Sequence, residues 1–455
     1  MEGFSFDSLF ELLEQGNLKQ LREELIDLNV VDIAEFLETT PIDKLLLIFR
    51  ILPKSLAAEV FAYLETDNQA KIVNSITDTE LSYLVEELYV DDAVDFLEEV
   101  PASVVRRVLA SATPQTREVI NRVLKYPENS AGSVMTTEMV EFHNRYTVRE
   151  AIAQIRRTGL DKETIYTCYV INDHRKLKGV LPLRRLLLAE EDTLIKDIMV
   201  EDEQVISVNT HDDQEQVADM ARKYDLLSVP VVDNENRLVG IITIDDIVDI
   251  IEEENTEDLE KMALMTPSEE TYLKTGVFTH AKSRILWLMI LMVSSTLTEQ
   301  IINGFENSLA MFVGLTACIP MLMGTGGNAG NQTSTLIIRG LALGEVTVKD
   351  YFRVLWKEVR VSLICGGALA VGNFARMWLL AQWGIQPVSG VTAILVVCIA
   401  MMLGVVVAKC IGCTLPIAVK LIHLDPALMA GPMITTIVDG ISLVIYFAVA
   451  RMLLM

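Results

Sequence analysis

The chain predicts a multidomain membrane protein: an α-helical solenoid N-domain, a duplicated α/β unit, an acidic connecting helix and an all-α membrane domain of five transmembrane helices. Three observations predict it. Residues 281–455 hold five long apolar stretches, each near the ~20 residues that a helix needs to cross a bilayer. Residues 1–270 carry 56 Asp+Glu against 26 Lys+Arg, while 271–455 carry 7 against 12, so a strongly acidic half joins a weakly basic, apolar one. Two internal repeats, one of about 30 residues and one of 61–64, subdivide the acidic half.

Composition excludes several classes. A net charge of −25 argues against a nucleic-acid partner, which needs clustered Lys and Arg. Four of the six cysteines, Cys318, Cys365, Cys398 and Cys410, lie in apolar stretches, and Cys410-x-x-Cys413 has no second pair or nearby His, so no disulfide framework is implied. The N-terminus MEGFSFDSLF is acidic and is not expected to be a cleaved signal. No catalytic constellation is read, so the chain is not expected to be an enzyme.

Residues 1–129 read as short amphipathic helices, with DIAEFLETTP (32–41), AAEVFAYLETD (57–67) and DDAVDFLEEVP (91–101) as a loose repeat that suggests a helical solenoid. In residues 130–253, SVM (133–135) recurs as DIM (197–199), and CYVINDHRKLKGVLPLRRLL (168–187) recurs as VPVVDNENRLVGIITIDDIV (229–248). Each copy predicts two strands around an Asn/Asp turn, flanked by helices. The pattern resembles a tandem CBS pair. Where CBS modules hold a ribose, the second copy has Thr243 and Asp246, but the first has Pro182 and Arg185. ATP binding is therefore in doubt.

Residues 247–266 predict one continuous acidic helix, and 254–280 form the connecting segment to the membrane domain at 281–455. The apolar segments run roughly 285–305, 308–342, 358–380, 391–419 and 426–450, the second interrupted by GTGGNAGNQ (324–332). A glycine- and amide-rich break at membrane depth is tolerable where it is buried in protein or lines a wet cavity; close helix packing through small residues is the alternative. Lys274, Lys282, Arg284, Lys349, Arg353, Lys357, Arg360 and Lys420 fall on one side of the spans, while 303–307 and 381–390 have no Lys or Arg. The soluble half is thus cytoplasmic and, with five spans in the cell membrane, the C-terminus is outside.

Between Asp425 and Arg451 the only charge is Asp439, an acid near mid-bilayer that marks an ion or proton route. Asp91 and Asp95 share a helix face, and Asp246 and Asp249 stand three apart. Such faces repel unless a cation bridges them. The five histidines are scattered, no thiol cluster exists, and oxygen ligands suit Mg²⁺ or Ca²⁺.

PMLMGTGGNAGNQTSTLIIRGLA (320–342) and DPALMAGPMITTIVDG (425–440), with the acidic N-domain and CBS copies before them, resemble the MgtE family of magnesium channels over the whole chain. The resemblance implies a homodimer in the lipid bilayer with an axial pore built from the second and fifth spans. Asp439 would coordinate Mg²⁺ through water, and Pro320, Gly326, Gly327, Asn328 and Asn331 would be pore-lining candidates. It implies a connecting plug helix, and sensor carboxylates at Glu59, Asp91, Asp95, Glu215, Asp225, Asp246, Asp249, Glu254, Glu257 and Asp258, where cytosolic Mg²⁺ closes the pore. A proton-coupled divalent-cation transporter with Asp439 as relay is the alternative; it needs further buried acids, and only Glu299 is read as one.

Overall fold

The computed structural model describes residues 6–201, 204–268, 272–273, 275–305, 313–384 and 390–454. Lys274 and parts of the two cation-free loops used to read orientation, 306–307 and 385–389, lie outside the described residues. The chain divides into two compact units, Met1–Glu252 and Glu253–Met455.

In the first unit the N-domain is built of helices of eight to ten residues. Pro41, Pro53 and Pro101 stand at their N-termini, and Thr77 and Glu80 form a capping box, so each helix is restarted before it can lengthen. Helices starting at Val30, Lys54, Asp78 and Ala102 stack serially as one layer, and those starting at Ile42, Thr66, Val90 and Pro114 as a second. Each layer therefore repeats every 24 residues, not about 30. The longer spacing arose because DDAVDFLEEVP forms the Val90–Glu99 helix of the second layer, whereas the two earlier motifs lie in the first. The layers meet around fully buried Phe36, Phe61 and Ile72, with the rings of Phe61 and Phe96 in edge contact at 5.3 Å.

The duplicated unit has strands β1 (Glu141–His143), β2 (Thr167–Ile171), β3 (Leu177–Pro182), β4 (Val200–Glu201), β5 (Val208–Asn209), β6 (Ser228–Val232) and β7 (Leu238–Thr243). Both sheets share one topology, β1 parallel to β2 and β2 antiparallel to β3, then β5 parallel to β6 and β6 antiparallel to β7. Each carries an irregularity at the same place, after Val170 and after Val231. Gly179 and Gly240 are glycine for one reason. A Cβ on Gly179 would meet Met199 and the Val200 carbonyl, and one on Gly240 would meet Met135 and the Thr136 carbonyl. The repeated SVM and DIM segments thus cross over, each covering the sheet of the other copy.

In the second unit we label α1 (Val277–Gly304), α2 (Ile319–Ala342), α3 (Tyr351–Gln382), α4 (Val391–Leu421) and α5 (Gly431–Leu454). Four stretches, Val277–Gly304, Val348–Gln382, Val391–Leu421 and Pro426–Leu454, are long and apolar enough to cross a membrane. Among the described residues α2 does not join them, because glycine, amide and hydroxyl side chains lower its hydropathy. The predicted interruption is absent: α2 runs unbroken for 24 residues through GTGGNAGNQ. The glycines instead admit neighbours. A Cβ on Gly326 would lie 2.7 Å from Ser442 Oγ, and one on Gly330 2.9 Å from Ile434 Cγ2, both on α5. Gly412 of α4 sits directly on the Gly330 carbonyl. Close backbone approach through small residues is the usual means by which helices associate in lipid, where apolar burial offers little drive.

The connecting helix is shorter than expected. Ile244–Met262 ends where Leu264 takes a left-handed conformation (φ 55°), and α1 begins anew at Val277, so 254–280 is not one helix.

Valine at Gly412 would force its Cβ into the Gly330 carbonyl and separate α4 from α2, at about 1–3 kcal/mol or more. Gly412→Val is expected to lower the thermal unfolding midpoint in detergent. Gly404→Ala, whose nearest new neighbour is Ser442 Oγ at 3.7 Å, is expected to leave it unchanged. Equal midpoints for the two variants would refute this account of the contact.

Candidate functional site

Two constellations carry chemistry, one in each unit. In the first unit the Val90–Glu99 helix presents Asp91 and Asp92 toward acids of the duplicated α/β region. Asp91 is only 7% exposed. Burial, then the charges of Asp92, Asp246 and Glu163, hold its carboxyl well above the usual range. Asp92 is raised to about 6 by burial and by Asp246, Asp245 and Glu138. Glu163 is raised to about 8 by burial and by Asp92, Asp246, Asp245 and Glu138. Asp246 is raised by burial, against which Thr243 Oγ1 donates a 2.6 Å hydrogen bond. Asp249 is raised by burial, Glu252 and Asp245. Tyr89 is pushed to about 12, by burial first and then by Glu163, Glu59, Glu138 and Asp91.

The structure therefore brings Asp91, Asp246, Asp249 and Glu59, four of the expected sensor residues, into one neighbourhood. It adds Glu138, Glu163 and Asp245, which sequence reasoning missed, and Asp92, which was left out of the expected sensor set. Glu163 follows a 3-10 turn with no repeat or helix periodicity to mark it, so no local signal could have found it. Asp92 stands beside Asp91 in the same acidic first turn and was within reach. Glu215 opens and Asp225 closes the Gln214–Tyr224 helix, and neither is among the charges that raise Asp91, Asp92 or Glu163. Among the described residues no three His, Cys, Asp or Glu converge as a ready chelating cage. These are opposed acid faces, suited to an ion that keeps much of its water, as Mg²⁺ does.

In the second unit, the end of the connecting helix is tied to the segment before α5. Lys261 Nζ is 2.9 Å from both Glu257 and Asp425. Burial works against its charge, but these two carboxylates more than offset that and raise its pKa. Asp258 is raised by burial and by Asp425, with Lys261 opposing. Gly431, the first residue of α5, has φ 47°, and a Cβ there would lie 2.9 Å from the Met262 carbonyl. Lys261, absent from the predicted set, is the cation that holds Glu257 in place.

Asp439 lies two turns into α5, half-buried, over the glycine face of α2: a Cβ on Gly327 would lie 3.7 Å from its Oδ1 and 3.0 Å from Thr435 Cγ2. Asn328, the next residue of α2, is exposed, as is Pro320 at its start. Gly326 and Gly327 are buried beneath α5, and Asn331 caps that helix, its Oδ1 accepting the Gly431 N–H at 2.9 Å. Of the candidate lining residues, only Asp439, Asn328 and Pro320 present surface without a packing or capping task. One deeper feature went unread: Lys409 and Glu358 are a buried ion pair between α4 and α3, 3.7 Å apart.

Residues 319–449 match the family model of the divalent cation transporter MgtE, residues 28–129 that of the MgtE intracellular N domain, and residues 131–192 and 195–253 the CBS domain. The magnesium transporter MgtE of Thermus thermophilus is 36% identical over 98% of this chain and 98% of its own length. The chain belongs to the MgtE family. The magnesium transporter MgtE of Bacillus subtilis is 31% identical over 96% of this chain and 95% of its own length. The crystal structure of the soluble part of a magnesium transporter covers 55% of this chain and 97% of that one, with 33% identity and a TM-score of 0.52. That of the cytosolic domain of the Mg²⁺ channel MgtE in complex with ATP covers 53% and 98%, with 37% identity and a TM-score of 0.51. Within this family the acid faces and Asp439 fall in the matched cytosolic and transporter regions respectively.

The acid faces imply a pH dependence. Folded-state values for Asp92 and Glu163 lie above their unfolded ones, so their contribution is fully present below about pH 4 and is lost as pH rises through about 6 and about 8. With a chelator present, the thermal midpoint of the soluble region is expected to fall between about pH 5 and about pH 8, and millimolar Mg²⁺ to restore it chiefly at the upper end. Glu163→Gln is expected to flatten the profile. A chelated midpoint that stays level across this range would contradict the cluster.

Proposed function

We propose that this chain forms a homodimeric, Mg²⁺-selective channel or transporter that admits Mg²⁺ to the cytoplasm and is closed by cytosolic Mg²⁺. The observation that carries the reading is Asp439, half-buried, the one charge of α5 ahead of Arg451 in its last turn, and laid over the glycine face of α2. A carboxylate at that depth belongs on a wet path rather than in lipid. Its reach to Mg²⁺ is through the ion's own waters, since one carboxylate from each of two subunits cannot replace an octahedral shell. In this reading the membrane region has five spans, α2 counting as one despite its polarity, with the N-domain and CBS pair cytoplasmic and the C-terminus outside.

The gate follows from charge. Asp91, Asp92 and Glu163 oppose Asp245 and Asp246 with no Lys or Arg among the charges that shift them. Two ionised carboxylates ~4 Å apart at an effective dielectric near 20 repel by about 4 kcal/mol. Mg²⁺ relieves the repulsion only where the faces are close, and that differential affinity drives closure. The Lys261 link from the connecting helix to Asp425, ahead of α5, supplies a route to the helix that bears Asp439. Glu215 and Asp225 remain in the proposed sensor set on the resemblance, and Asp95 and Glu254 on the resemblance together with their place in acidic helix faces.

The proton-coupled alternative needs a chain of exchangeable acids. Glu358 is a second buried acid, but Lys409 holds it as an ion pair, which disfavours proton exchange. ATP is the ligand of the relative's cytosolic domain; here Asp246 is engaged by Thr243, and Pro182 and Arg185 occupy the first copy, so ATP is not assigned a role in the threshold.

Asp439→Ala should reduce Mg²⁺ flux into proteoliposomes by at least about 10²-fold while the protein remains folded, the scale associated with losing a pre-organised charge at a reacting or permeating ion; wild-type flux in that variant would remove the pore assignment. The sensor is tested separately. Neutralising Asp91, Asp95, Asp246 and Asp249 to Asn should leave flux high at millimolar Mg²⁺ and should weaken the protease protection that Mg²⁺ confers on the soluble half. Protection at the wild-type Mg²⁺ concentration would show that these four acids are not the sensor.

A further inference from the structure

Gly326, Gly327 and Gly330 let α5 and α4 approach α2 closely, while Ile337 and Leu341 of α2 pack against Cys413 and Ile417 of α4. Polar pins add directional contacts to this packing. Two of them tie α2 to the start of α5: Asn331 accepts the Gly431 N–H, and Ser334 Oγ donates to the Met429 carbonyl at 2.9 Å. The third ties α2 to the other two helices. Thr333 Oγ1 donates to Glu358 Oε2 of α3 at 3.0 Å and accepts from Lys409 Nζ of α4 at 3.2 Å.

Thr333 is wholly buried, and the side chains of Lys409 and Glu358 are 8% and 12% exposed. Ionised groups at that depth persist only when paired, and here the pairing runs through a hydroxyl of the helix that faces Asp439. Lys409 adjoins Ala408, whose carbonyl would lie 3.2 Å from a Cβ on Gly330, so the pin emerges where the α4 and α2 backbones are closest. Thr333 is six residues from Gly327, about 9 Å along the axis from the level of Asp439.

We propose that the Lys409–Glu358 pair, acting through Thr333, is a positioning unit that sets the axial register of α2 beside Asp439. The proposal rests on the pore reading above and adds residues on α3 and α4 to it. None of the three touches the ion; they hold the surface past which it moves. Thr333→Val leaves the ion pair intact, keeps the shape of the side chain and cuts only its link to α2, while Thr333→Ser keeps the link.

The test is Mg²⁺ flux through the full-length protein in proteoliposomes, with maximum rate and half-saturating concentration measured apart and folded protein quantified by thermal midpoint. Because a displacement of about 1 Å can cost about 10²-fold, Thr333→Val is expected to lose about tenfold or more in maximum rate and Thr333→Ser less than about twofold. Glu358→Gln is expected to lose flux, and the exchanged pair Glu358→Lys with Lys409→Glu to regain most of it. Wild-type flux in Thr333→Val would overturn the proposal. So would equal losses in the Val and Ser variants that track the loss of folded protein. If Asp439→Ala retains flux, the pore reading itself fails; if Asp439→Ala is inactive and Thr333→Val is normal, only the positioning role does.

Discussion

A buried carboxylate must have positive charge beside it, stay protonated, or draw a cation from solution, and this chain uses that constraint in different places to different ends. Glu257 and Asp425 share Lys261, and Glu358 has Lys409, so both are held by partners that the chain itself supplies. Among the described residues no ion pair serves Asp91, Asp92, Glu163, Asp246 or Asp439. Where the cation is a lysine, the contact is permanent and structural. Where it is missing, the site depends on what the surrounding solution contains, and the energy of the contact becomes a function of ion concentration and pH.

The same division orders the two units. In the first unit, capped helices of eight to ten residues make a stack whose second layer turns its acidic first turn toward Glu138, Glu163, Asp245 and Asp246. The stack is stabilised by its apolar seam, around Phe36, Phe61 and Ile72, and that seam tolerates acid faces that oppose each other. In the membrane unit, glycines of α2 and α4 bring backbones together beside apolar clusters such as Ile337, Leu341, Cys413 and Ile417. A few buried polar contacts add direction to that packing.

Much of this was legible in the sequence, and the rest was not for identifiable reasons. The duplication in residues 130–253, the strand pairs around Gly179 and Gly240, and Asp439 as the one charge between Asp425 and Arg451 each follow from patterns local in sequence. GTGGNAGNQ was misread as a break because glycine lowers helix propensity in water; in a helix buried by neighbours that loss is outweighed by the contact the missing Cβ allows. The N-domain period was overestimated because two interleaved layers carry similar motifs. Glu163, Lys261 and the Lys409–Glu358 pair were overlooked because each takes its meaning from a partner distant in sequence.

The crossover in the duplicated unit has a consequence for how the chain folds. β4 follows the first copy's closing helix yet completes the first sheet, and Thr136, ahead of β1 in the first copy, bridges to Ile241 in the second. Tyr169 and Ser228 join the copies again through a buried 2.7 Å hydrogen bond. Matched segments 131–192 and 195–253 are therefore units of ancestry rather than of stability. Neither half encloses its own sheet, so the pair is expected to melt as one cooperative body, and in a nascent chain the first sheet must wait for Val200–Glu201 and the segment at Thr136 for Ile241.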